Sequence, residues 1–189
     1  MFSTGDPFSA PELADALARI EREGQVYLIA MSDAQFFAPQ GAAWSPALHV
    51  RHLRKSVAPL AAALRIPRLM LRLRFGRPRA PSRSFAGVRE AYRGMLAAGG
   101  TAGRFTPSAE PMPQDAGDRR AEITAAWSVA NAAVVNAMGR WSDAALDGTC
   151  LPHPLMGLLT IREMLAFTVY HTAHHLSRIA ERAGGAADR

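Results

Sequence analysis

His171-Thr172-Ala173-His174-His175, near the carboxyl end, is the stretch on which the reading of this chain turns. It lies inside Leu159–Arg182, which reads as one helix: Thr160-Ile161-Arg162-Glu163 has the capping-box pattern at its start, and Gly184-Gly185 supplies a stop. At 3.6 residues per turn, positions four apart lie roughly 40° apart around the axis and about 6 Å apart along it. His171 and His175 therefore project side by side, whereas His174 stands roughly 100° round from His175. Met164, Thr168, His171, His175 and Ile179 continue one stripe, which places the pair on the face that a bundle buries.

A buried imidazole pair needs partners, since an unsatisfied buried polar group costs about 1–3 kcal/mol. Ordinary hydrogen bonds to neighbours would serve, and so would a divalent metal. The six histidines favour the metal: His49, His52, His153, His171, His174 and His175 all fall in two short regions. Two histidines from one helix need a third ligand. His49 and His52, three apart on another helix, are the supply, and periodicity slightly favours His49, which extends the stripe through Leu53 and Val57. His153 reads as a loop residue near a helix cap or as part of the pocket wall. Glu163 lies two turns before His171, so no single-helix H-E-x-x-H motif forms. Three histidines with an open position suit zinc, with nickel or iron as alternatives.

With 189 residues and 49% hydrophobic composition, the chain reads as a single domain over 1–189 with a real core. No apolar run approaches the roughly 18 residues of a membrane span, and the amino-terminal residues lack a signal-peptide pattern. The expectation is a cytoplasmic protein without a membrane partner. Cys150, the single cysteine, excludes an intramolecular disulfide and a cysteine-based zinc cluster. The net charge of +6 comes from arginine, Lys55 being the lone lysine.

Ser9-Ala10-Pro11-Glu12 is a second capping box, followed by Leu13, Leu17, Ile20, Gly24, Tyr27, Met31 and Ala34 at helical spacing. This predicts a helix to about Phe37, disturbed at Gly24 and ended by Pro39-Gln40-Gly41. Ser45-Pro46 opens the next, which carries both His49 and His52 and a kinking Pro59. Residues 65–83 hold seven arginines and no acidic residue, interleaved at first with Leu69, Met70, Leu71, Leu73 and Phe75. They read as a solvated helix end running into a loop, or else as a groove for anions; no nucleic-acid motif is present. Ser84–Ala98 and Asp118–Trp141 read as helices. Between them residues 99–117, with four glycines and three prolines, are a lid, a packed loop or a disordered insert. The basic segment 66–83 and this loop are treated as internal insertions. No segment alternates as a strand. The fold class is all-α, a bundle of four or five helices with an inward-facing histidine cluster.

Two stretches carry a resemblance. Trp44-Ser45-Pro46-Ala47-Leu48-His49-Val50-Arg51-His52-Leu53 resembles the first histidine motif of the DinB-like superfamily, and residues 153–163 followed by 170–175 resemble its carboxyl-terminal motif. The resemblance implies a four-helix bundle holding one divalent metal through His52, His171 and His175, with His49, His153 and His174 as possible supporting residues around them. It thus prefers His52 where periodicity prefers His49. Relatives include thiol S-transferases and mycothiol-dependent isomerases, and dimers are common among them. Arg178 stands where many members carry glutamine.

The function expected on these grounds is metal-dependent S-transfer from a low-molecular-weight thiol to a small electrophile, since a divalent ion lowers the pKa of a bound thiol or water. The catalytic groups beyond the metal ligands are unassigned. The alternatives are a metal-dependent hydrolase, or a non-catalytic module stapled by metal and binding an anionic partner. The expected partner is a small-molecule substrate, with no specific nucleic acid and with a homodimer possible.

Overall fold

The structure is a computed structural model that describes residues 2–39, 43–109 and 111–187, with side chains to Arg182. The described residues form eight α-helices, a short 3-10 turn and one antiparallel hairpin. In chain order these are α1 (Ala10–Ile29), α2 (Asp33–Phe37), α3 (Pro46–Ala63), α4 (Arg68–Phe75), α5 (Phe85–Ala97), the turn Gly103–Phe105, α6 (Ala116–Met138), α7 (Asp143–Asp147), β1 (Cys150–His153), β2 (Gly157–Thr160) and α8 (Ile161–Ala187).

The helix starts are built as their sequences dictate. The Glu12 carboxylate accepts from the backbone N–H groups of Phe8 and Ser9 at 3.0 and 2.9 Å, while Ser9 Oγ accepts from Glu12 N–H. The same reciprocal box joins Thr160 and Glu163 at the start of α8. Glu163 is fully engaged there, because its other oxygen takes the Arg83 guanidinium at 2.7 Å. Ser45 and Ser84 cap α3 and α5.

Four helices make the bundle. Helix α3 packs against α6 and α8, and α1 packs against the same two, which closes a ring; α5 also packs against α8. A close approach falls at Gly24, where a Cβ would lie 2.8 Å from Leu176 Cδ1 and 2.8 Å from Trp127 Cη2. Both neighbours are fully buried. Glycine at this position lets α1, α6 and α8 meet, and the helix continues through it undisturbed.

The core divides into two halves. One gathers Leu13, Leu17, Val57, Leu60, Val134 and Leu165, the other Ile20, Leu28, Phe36, Leu53, Trp127 and Leu176. The boundary falls between Leu53 and Val57 on α3, and between Val169 and Ala173 on α8. His52 and His171 stand at that level, so the apolar packing on either side holds their two helices at a defined separation.

Several sequence expectations are corrected. The helix predicted to reach Phe37 ends at Ile29, and α2 begins anew because Ser32 and Gln35 form their own capping box, which competes with helix continuation. Of the stop Pro39-Gln40-Gly41, Gln40 and Gly41 lie outside the described residues. Helix α8 continues through Gly184 and Gly185 to Ala187; a glycine costs a helix only about 1 kcal/mol against alanine and does not by itself end one. Cys150–His153 and Gly157–Thr160 pair as strands, Cys150 opposite Thr160 and His153 opposite Gly157. Each strand has four residues, too few for alternation to show, and Pro152 disguises the first. Within the basic segment Arg68–Phe75 is a helix whose Leu71 is buried.

Of the stretch read as a lid, a packed loop or an insert, residues 105–108 pack onto α3. His52 Nδ1 reaches the Phe105 carbonyl, Lys55 donates to Thr106 O at 3.1 Å, and Arg51 donates to Ser108 O at 2.9 Å. One face of α3 therefore clamps the loop over the histidines.

Candidate metal centre

His171 and His175 leave α8 side by side, as a spacing of four demands, with their Nε2 atoms 3.1 Å apart. His52 arrives from α3 and sets its own Nε2 3.1 Å from that of His171. One ring nitrogen from each of the three lies within 4.8 Å of the others. Two nitrogens bound at 2.0–2.1 Å to a tetrahedral ion stand roughly 3.3 Å apart, so His171 already has nearly that spacing to both His52 and His175.

The far sides of the rings decide which nitrogens are free to bind. The Phe105 carbonyl can only accept, so His52 Nδ1, 3.0 Å away, carries the proton and Nε2 presents a lone pair. His175 Nδ1 lies 2.7 Å from His49 Nδ1. With the proton on His175, its Nε2 is likewise a lone pair, and His49 must be the tautomer protonated at Nε2. That atom is buried and has no hydrogen-bond partner. Nitrogen lone pairs facing one another in a buried site repel unless a cation or proton lies between them, which is the sense in which the donor set fits a metal.

Electrostatics points the same way. Burial pushes the pKa of His171 and His175 well below the ordinary imidazole value, and their neighbouring histidines add to it. Burial is also the main cause that lowers His52, and it lowers His49 to about 4. At neutral pH the cluster is uncharged, the form that binds metal. Aromatic rings wall it in: Trp44 lies parallel to His175 at 6.2 Å, Phe167 stacks on His171 at 4.9 Å, and Tyr92 meets His171 edge-on.

Of the six histidines, the structure brings His52, His171 and His175 into one group. His49 stands behind His175, outside the triad. His174, half-buried, tilts over Tyr170 and lines the adjoining cavity. His153 ends β1, where its Nδ1 accepts from the N–H groups of Leu155 and Met156 at 3.2 and 3.1 Å; it thereby closes the hairpin turn while its ring lines the cavity. Burial lowers its pKa to about 4. Sequence reasoning missed the Phe105 carbonyl and the aromatic walls. A main-chain acceptor in an aperiodic loop leaves no residue-type signal.

Beside the triad opens a cavity of about 460 Å³, with Leu60, Ile66, Leu71, Phe75, Leu155 and Phe167 among its walls. An apolar pocket ending at convergent polar groups is the usual form of a small-molecule site.

Fold and centre together define a four-helix bundle with a buried three-histidine cluster open to a pocket. The chain belongs to the DinB superfamily, whose sequence model matches residues 16–179. The solved structure of TT2238, a four-helix bundle protein, is similar in fold, with a TM-score of 0.56 and 19% identity over 92% of this chain and 99% of that one. No match is found among curated proteins.

Proposed function

We propose that His52, His171 and His175 bind one divalent metal ion, zinc by preference, through their Nε2 atoms, and that the protein is an enzyme transferring a small thiol to an electrophile held in the adjoining cavity. The carrying observation is the convergence of three buried, neutral imidazoles beside that cavity. A catalytic zinc site keeps three protein ligands and an open position, whereas a structural one is closed by a fourth. His49, the nearest additional histidine, has its Nδ1 committed to His175, which argues against the staple.

When bound, the ion supplies Lewis acidity and lowers the pKa of a coordinating thiol. The chain's own residues do the rest. The Phe105 carbonyl and His49 orient two of the ligands by accepting their second N–H. Trp44, Tyr92 and Phe167 exclude water around the rings. Cys150 is buried and paired into the hairpin, its thiol pKa raised by burial and by Glu163, so it is a poor nucleophile.

Elemental analysis of the purified protein tests the first half of this reading, with one equivalent of metal expected. Calorimetry with a low-molecular-weight thiol and its S-methyl analogue, in buffers of different ionisation enthalpy, tests the second. The thiol should bind more tightly and release a proton. Equal affinity with no proton released would exclude thiolate coordination and favour hydrolysis.

A further inference from the structure

The cavity lining includes the triad, His153, His174 and Arg104, an exposed residue whose guanidinium carbon lies 5.1 Å from the ring centroid of Phe105, the residue that bonds His52 through its carbonyl. From there the lining follows α3 from His52 to Ala63 and α8 from His175 back to Met164, twelve residues in each case, a rise of about 16 Å along the helix. Ile66, and Leu71 and Phe75 of α4, also line it. No aspartate or glutamate is among the described residues that line it, and Arg104 is its only permanently charged side chain.

A cationic ligand would find no counter-charge in this cavity, and a uniformly polar one would lose its water against hydrocarbon. We infer that the cavity takes an amphiphile of one polarity: an anionic head at the triad and Arg104, and an extended hydrocarbon body running along α3 and α8 toward Leu71 and Phe75. This rests on the reading of the cavity as the substrate site and names the class of molecule it accepts. The sequence pointed to arginine-rich 65–83 as a candidate anion groove. In the structure that segment contributes Ile66, Leu71 and Phe75 to the wall, and the arginine at the cavity is Arg104 of the following loop.

The probe is a series of straight-chain carboxylates from butyrate to dodecanoate, with decanol and decylamine as head-group controls. Each is titrated calorimetrically into the full-length protein, metal-free and zinc-loaded. Affinity should rise about fourfold per added methylene until the chain fills the cavity, then level off. Decylamine should bind at least tenfold more weakly than decanoate. Ala63→Leu, and Ala63→Trp where circular dichroism shows a folded protein, should make the rise stop at a shorter chain. Arg104→Gln should weaken decanoate while leaving decanol nearly unchanged. A flat series, or decylamine equal to decanoate, in zinc-loaded protein would overturn this inference and leave the metal centre standing. A full ladder in protein that binds no metal would support the inference and overturn the metal reading.

Discussion

His49 Nδ1 and His175 Nδ1 lie 2.7 Å apart across the interface of α3 and α8, buried and 126 positions apart in the chain. One of the two nitrogens must carry the proton. A metal on His175 Nε2 requires that it be His175, which makes His49 an orienting acceptor. We therefore expect His49→Phe to keep one metal per chain but lower its affinity roughly ten- to a hundredfold. Chelator competition measures this; an unchanged affinity would remove His49 from the centre.

His52→Ala, His171→Ala and His175→Ala should each abolish most bound metal, while His174→Ala keeps it. The distinction follows from the triad, which includes the first three and leaves His174 tilted over Tyr170. Elemental analysis of the four purified variants decides it. Equal metal loss from His174→Ala and His171→Ala would refute the assignment.

The metal-free protein should lose stability as pH falls below about 6.5. Burial lowers the folded-state pKa of His171, His175, His49 and His153, the last two to about 4. Below the unfolded value near 6.5 the unfolded chain binds more protons than the folded one. The stability is thus complete above pH 6.5 and drains away toward pH 4. Urea midpoints at pH 7.5, 6, 5 and 4.5 check this, and His153→Phe should flatten the slope. A midpoint constant from 7.5 to 5 would contradict it.

Further acid loss should come from carboxylates. Asp147 is held below the usual carboxylate value by the hydrogen bonds of Arg162, with Ser82 assisting. A depressed folded-state pKa contributes stability above the unfolded value near 3.9 that is lost as pH falls through the folded one. Asp147→Asn should make the protein less stable at pH 7 and less sensitive to pH below 4, measured by the same denaturant series.

Gly24→Ala should destabilise the bundle by about 1–2 kcal/mol, although alanine is the better helix former by about 1 kcal/mol. The added methyl would sit 2.8 Å from atoms of Leu176 and Trp127, neither of which has solvent to move into. Urea unfolding followed by tryptophan fluorescence gives the number. A gain in stability would mean that the three helices have slack at this contact.

By itself the sequence determined what depends on near neighbours. The 3.6-residue period placed His171 and His175 on one buried face, and the Ser9/Glu12 and Thr160/Glu163 boxes started two helices where they are observed. These are local effects, encoded within a turn or two of helix. Periodicity leaves His49 slightly ahead of His52 and only the resemblance prefers His52; the tertiary structure is what stands His52 with the pair on α8. The two differ by less than one turn, and the choice depends on the rotation and axial offset of α3 against α8. Packing sets both, through contacts such as Leu53, Trp127 and Leu176 in one half of the core and Val57 and Leu165 in the other. The same holds for the break before Ser32, for the hairpin at Cys150–His153, and for the Phe105 carbonyl on His52. Each rests on a local competition or a distant contact that no periodicity records.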